Sequence, residues 1–208
     1  HLSIRRQRQM CIRDRYITAD NIISSLGFTT KENVCAISLN KSGIAPVESG
    51  KISDTHILAG LIDSDILNEL TEKYSLQEFS KAEQLAILSI KDLLSQKEIE
   101  MKQCGFILST TKGNVDLLQH HTEDIDRNVF LRESASKITD YFGMNDKAMV
   151  VSNACISGVS ALIIARRLLL NGDYKHIIVT GVDALSHFIT SGFRSFRSLS
   201  ENLCRPYD

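Results

Sequence analysis

The chain has 208 residues, 43% of them hydrophobic and 24% charged, with two prolines and a net charge of −1. That balance excludes a disordered or fibrous chain and leaves ample apolar material for an independently folding core. A mildly acidic body gives no electrostatic case for nucleic acid.

Residues 1–15 hold five arginines and one aspartate but no apolar core of a signal peptide. This segment is expected to be a non-native basic tail, with the credible fold running over 16–208. Tyr16–Leu26 reads as a strand and turn ending at Gly27. Thr29 and Thr30 supply caps for a helix over Lys31–Asn40, closed by Ser42-Gly43. Lys41–Asp54 is punctuated by Gly, Ser and Pro and reads as irregular, with a short β element. Glu78–Leu94 is the clearest amphipathic helix: Phe79, Ala82, Ala86, Ile90 and Leu93 recur at three- and four-residue steps. Ser80 with Glu83 makes a capping box there. Gly105–Thr110 is a short apolar strand, followed by the polar turn Thr111-Lys-Gly-Asn114. Leu131–Phe142 reads as a helix that stops at Gly143.

The last third is more regular. Ala148–Asn153 reads as a strand, Ile156–Leu170 as a helix, Asn171-Gly-Asp173 as a turn and Ile177–Thr180 as a second strand ending at Gly181. Neither strand alternates with polar residues, which argues for parallel neighbours buried on both faces. The class is therefore α/β, with helices layered on a mostly parallel sheet. The most apolar stretch, Val159–Leu170, is interrupted by Arg166 and Arg167 and is short for a bilayer span. It is expected to be a buried helix.

Cys155 lies in Met149-Val-Val-Ser-Asn-Ala-Cys-Ile-Ser-Gly158, at the junction between that strand and helix. A thiol at a helix N-terminus faces unpaired backbone N–H groups and the positive end of the helix dipole, and both favour the thiolate that attacks carbonyls. Ser157 and Gly158 keep the space around the sulfur open. The alternative is a buried structural thiol, against which stands the location outside a strand's carboxyl end, where α/β folds place their chemistry. The other cysteines (11, 35, 104 and 204) have no such junction and read as packing residues. Five widely spaced cysteines without a C-x-x-C pair indicate neither a disulfide framework nor a zinc site, and fit a reducing cytoplasm.

Other candidates carry less. His120 and His121 sit in a polar stretch that reads as a solvated loop. His176 reads as exposed, and His187 follows the last strand closely enough to reach a site at its edge. Glu123, Asp124 and Asp126 match no metal-ligand set, so no metal is expected. Phosphate-binding glycine loops and the G-x-S-x-G elbow do not occur.

From Val150 onward the chain resembles the β-ketoacyl synthases, condensing enzymes of the thiolase fold. The residues that carry the likeness are Val151-Ser-Asn-Ala-Cys-Ile-Ser-Gly-Val-Ser-Ala-Leu162, Asn171-Gly-Asp173, Ile178-Val-Thr-Gly-Val-Asp-Ala184, Gly192-Phe-Arg-Ser-Phe-Arg-Ser-Leu-Ser200 and Arg205-Pro-Tyr-Asp208. Tyr16-Ile-Thr, Ser24-Ser-Leu-Gly27 and Lys41-Ser-Gly-Ile44 resemble the family's start more diffusely. Ala19-Asp-Asn-Ile22 replaces the family's glycine-rich turn, and Asn153 stands where Ser or Thr is frequent.

The resemblance implies the N-terminal half of a duplicated α-β-α-β-α architecture. It implies Cys155 as the nucleophile of a decarboxylative Claisen condensation through an acyl-cysteine. Phe193 would line the acyl pocket, and Arg205, Pro206 and Asp208 would hold the turn into the second half. Two catalytic histidines and a supporting lysine belong to that second half, so the chain alone is expected not to condense. No cofactor is implied, since substrates travel on the phosphopantetheine of an acyl carrier protein. That carrier is one expected partner; a second copy, or a ketosynthase heterodimer partner, is the other. Neither nucleic acid nor a membrane is expected. The alternatives are another thiolase-fold enzyme (a chain-initiating synthase or a thiolase) and a non-catalytic partner subunit.

Overall fold

A central strand that is buried along its whole length organises the molecule. The computed structural model describes residues 14–120, 126–145, 148–200 and 202–203. The expectations for residues 1–13, for His121, Glu123 and Asp124, and for Cys204, Arg205, Pro206 and Asp208 fall outside these.

Strand β3, Cys104–Ser109, pairs in parallel with β4, Met149–Val151, on one side and with β5, His176–Gly181, on the other. The two strands read from the sequence as parallel neighbours are thus parallel but not adjacent, because β3 lies between them. Only β3 is buried at every position; β4 and β5 are partly exposed as the edge strands.

Side chains alternate across β3 and so feed two cores. Cys104, Phe106 and Leu108 pack with Leu85, Ile87 and Ile90 of α3 (Lys81–Gln96) and with Ala135 and Ile138 of α4 (Leu131–Tyr141). Ile107 points the other way, against Ala161 and Ala165 of α5 (Ser157–Asn171). Helices therefore cover both faces of a parallel sheet. Each fully buried Leu or Ile contributes about 1.5–3 kcal/mol. The two small alanines let α5 approach the sheet closely.

Local signals set most helix ends. Helix α1, Thr30–Ser38, starts on a Thr29–Glu32 capping box and ends before Asn40, at φ 54°. Helix α3 starts on the Ser80–Glu83 box read from the sequence. Helix α4 stops at Gly143, φ 64°, and α5 ends on the left-handed Gly172.

Four features depart from the sequence reading. Tyr16–Leu26 is not a strand: only an isolated bridge joins Ser24 to Gly27, and Tyr16 and Ile17 are 78% and 79% exposed. Asn21 explains why, since its side chain donates to Phe28 O and accepts from Thr30 N, tying the segment to α1 rather than to a ladder. Helix α2, Ser64–Lys73, was not anticipated; Asp63 caps it, and Ala45–Val47 (β1) pairs antiparallel with Ile57–Ala59 (β2) just before it. Helix α6, His187–Ser195, contains Gly192 and was read only as a motif.

The fourth departure concerns α5, which is not buried. Its Ser157–Ala161–Ala165 stripe packs on the sheet, while Val159, Leu162 and Ile163 are exposed. The window Ala154–Asn171 has mean hydropathy 1.5 and is 17% buried, long and apolar enough by composition to cross a membrane.

Candidate active site

The carboxyl ends of the three parallel strands meet at one edge, the position where open α/β sheets bind ligands. Between the end of β4 and the start of α5, residues 152–156 reverse the chain. Ile156 N donates to Asn153 O at 3.2 Å and Ser157 N to Ala154 O at 3.3 Å. The buried Ser157 hydroxyl fastens the same turn, accepting from Asn153 N at 2.8 Å and donating to Ala154 O at 2.7 Å. Asn153 donates from Nδ2 to Ser160 Oγ at 3.3 Å.

These bonds hold Ala154 at φ 45°, in the left-handed region. For a residue with a Cβ that conformation costs about 1–2 kcal/mol, and such strain persists only where the surroundings over-determine it. Its effect here is to push Cys155 outward. The thiol is exposed and stands immediately before α5, whose N-cap Ile156 makes no side-chain capping bond. With Ser157 N held by Ala154 O, the N–H groups of Gly158 and Val159 in that first turn are left to whatever occupies the space beside the sulfur. At Gly158 an added Cβ would meet nothing within 4 Å, so the space is open without requiring glycine there.

The remaining described cysteines divide. Cys104 is buried in β3, and desolvation raises its thiol above the ordinary value, partly offset by a backbone hydrogen bond at Ile178. Cys35 corrects the sequence reading: it is exposed on α1, not a packing residue, because its helix buries the opposite side through Asn33 and Ala36.

Cys155 lines a cleft of about 600 Å³. Its walls come from three strand ends and one helix: Ser109–Lys112 after β3, Ala154, Cys155, Ser157 and Gly158 after β4, Gly181–Leu185 after β5, and Ile189 with Phe193 from α6. The structure thus brings together the two residues singled out from the sequence, Cys155 and Phe193. Phe193 is exposed and sits on a helix pinned from behind. His187 Nε2 pairs with Asp54 Oδ1 at 3.0 Å, Thr190 Oγ1 donates to Ile52 O, and Arg194 Nη1 donates to Thr55 Oγ1 at 2.7 Å.

Those contacts also settle the histidines. His187 is turned to Asp54 and does not line the cleft, and neither does His176, the first residue of β5. Asp126 caps the short turn Arg127–Val129 by accepting from Asn128 N at 2.9 Å.

Sequence reasoning missed the polar wall formed by Thr110, Thr111, Lys112 and Asp183. A usable signal existed. Thr111-Lys-Gly-Asn114 follows one buried parallel strand and Val182-Asp183 follows another, and parallel strands deliver both ends to the same edge.

The family model described as the β-ketoacyl synthase N-terminal domain matches residues 17–208. No curated protein matches the chain. Among solved structures, the ishigamide ketosynthase/chain length factor aligns with TM-score 0.72 at 16% identity, covering 89% of this chain and 57% of that one. A ketosynthase in complex with its chain length factor from Xenorhabdus doucetiae gives TM-score 0.69 at 22% identity, covering 92% and 52%. A β-ketoacyl synthase from Burkholderia phymatum gives TM-score 0.65 at 16% identity, covering 92% and 53%. The fold is the thiolase-like fold of these ketosynthases, and the chain spans between 52 and 57% of their length.

Proposed function

The chain belongs to the β-ketoacyl synthase family, and on that premise we propose that Cys155 is the nucleophile of a carrier-protein-dependent condensation. The observation that carries this reading is the exposed thiol on a strained turn, at an uncapped helix start, inside a cleft.

In the first stage the Cys155 thiolate attacks the thioester carbonyl of an acyl chain held on a carrier's phosphopantetheine. N–H groups of the first turn of α5 that the 152–156 turn does not engage, those of Gly158 and Val159, stabilise the oxyanion. The carbon–sulfur bond to the carrier then breaks, and the carrier thiolate leaves with the proton given up by Cys155. In the second stage a malonyl-carrier loses carbon dioxide, and the electron pair of the broken carbon–carbon bond forms a carbanion. That carbanion attacks the acyl-cysteine carbonyl; the bond to Cys155 breaks and the thiolate returns. The family resemblance assigns decarboxylation to two histidines, and no described histidine lines the cleft. Phe193 supports the acyl chain, an apolar ring beside an apolar ligand. No cofactor beyond the carrier's own arm is required.

The partners of this reading are the carrier protein and, across the exposed apolar face of α5, a second copy or a ketosynthase heterodimer partner, in the cytoplasm. Incubation with an acyl phosphopantetheine thioester, followed by peptide mass mapping, tests it. The expected result is an acyl mass on the Cys155 peptide that hydroxylamine removes. An unmodified Cys155 that iodoacetamide still alkylates contradicts it.

A second reading is a non-catalytic partner subunit. Two of the solved relatives are described with chain length factors. The exposed Cys155 weighs against this role, and the same labelling experiment separates the two.

A further inference from the structure

Beyond Val182 N, which donates to Ser109 O at 3.1 Å, β3 and β5 part company and the cleft opens between them. One side chain bridges that gap. Asp183 accepts from Thr110 Oγ1 at 2.8 Å, Thr111 N at 3.2 Å, Thr111 Oγ1 at 3.3 Å and Lys112 N at 3.1 Å. The Thr110 hydroxyl, on a residue only 1% exposed, extends the grip by accepting from Lys112 N at 3.3 Å and Gly113 N at 2.9 Å. An ionised acceptor shared by two backbone N–H groups and two hydroxyls makes strong, charge-assisted bonds.

We propose that Asp183 is a positioning residue: it clamps the Thr110–Lys112 turn as the cleft wall along which a chain attached to Cys155 lies. The proposal deepens the acyl-cysteine reading and rests on it for the identity of that chain. Three points support it. All four bonds end on a turn that shares the cleft with Cys155. Backbone pairing holds only the first residue of that turn, Thr110 N donating to Val151 O at 3.3 Å, while the ladder to β5 stops at Ser109 and Gly181. Asp183 itself is exposed, outside the hydrophobic clusters that hold the fold.

The test compares two alkylating probes on Cys155, read by peptide mass mapping. In each, the cysteine sulfur bonds to the methylene carbon and iodide leaves. Iodoacetamide is too small to need the wall, whereas N-octyl iodoacetamide must lay its chain along it. In Asp183→Asn and in the isosteric Thr110→Val, the octyl rate is expected to fall about tenfold relative to the iodoacetamide rate, since small misplacements cost that much or more. Thr110→Ser, which keeps the hydroxyl, should retain the native ratio. A ratio unchanged in both variants overturns the proposal, as does an equal fall of both probe rates together with a lowered melting temperature. Acyl transfer from a phosphopantetheine thioester is measured alongside. If the octyl ratio responds but no acyl group is ever transferred, the wall stands and the condensing function fails. If transfer occurs and the ratio is insensitive, the function stands and the clamp fails.

Discussion

Helices α3 and α5 both start at the sheet, yet their first turns are built in opposite ways. At the start of α3, Ser80 accepts from Glu83 N at 3.2 Å and Glu83 accepts from Ser80 N at 3.0 Å. Asn114 Nδ2 then donates to Glu83 Oε1, Asn128 O and Ser134 Oγ, and Lys137 Nζ stands 3.7 Å from the carboxylate. Both capping side chains are thus engaged, and Glu83 is only 1% exposed. At the start of α5 no side chain caps the helix, Ala154 is strained and Cys155 is exposed. One terminus is spent on stability. The other is left without a side-chain cap beside the cleft.

The contrast gives its largest expected effect at Cys155, the proposed nucleophile. Cys155→Ser should cut acyl transfer by three orders of magnitude or more, the scale of losing a nucleophile elsewhere, while leaving the melting temperature nearly unchanged. A comparable loss of both would dissolve the distinction between the two helix starts. Glu83→Ala should do the reverse. It strips acceptors from buried donors and should destabilise by about 2–4 kcal/mol in urea unfolding, with little change in the iodoacetamide rate of Cys155 in the folded protein. Ala154→Gly sharpens the comparison further. Glycine relieves the left-handed strain but loosens the unfolded chain, so stability should stay level or rise by less than about 1 kcal/mol. Loss of more than that would mean the turn is not strained.

Cys104 supplies the smallest effect, a pH dependence that Cys155 is not needed to explain. Burial makes the folded state hold the Cys104 proton more tightly than the unfolded chain does. That stability is intact below the ordinary thiol value of 9.0 and drains away as pH rises beyond it. The loss should not exceed about 1.4 kcal/mol per pH unit, and Cys104→Val should abolish it in urea unfolding measured across alkaline pH.

Where physics is local, the sequence was readable. The Ser80–Glu83 box, the stop at Gly143 and the strand-to-helix junction at Cys155 each rest on residues within four positions of one another. What escaped depends on distant residues meeting. No local pattern distinguishes Tyr16–Leu26 from a strand, because Asn21 decides the matter through Phe28 and Thr30. Cys35 is exposed only because α1 turns its other side inward. The Asp183 clamp joins residues 71 to 73 positions apart. It becomes visible once β3, rather than β4, is known to neighbour β5. Phe193 came from family likeness alone, and only the fold gives it Cys155 as a neighbour in the cleft.

The claim at the centre is that an unfinished helix start, and not mere exposure, makes Cys155 the nucleophile. Cys35 is the internal control, since it is exposed but lies outside the cleft. The decisive measurement is the ratio of acylation rates at these two thiols in the same sample, with a phosphopantetheine thioester as donor. The account requires Cys155 to be acylated at least about tenfold faster, the margin expected of an aligned site. Equal rates, or faster acylation of Cys35, would contradict it.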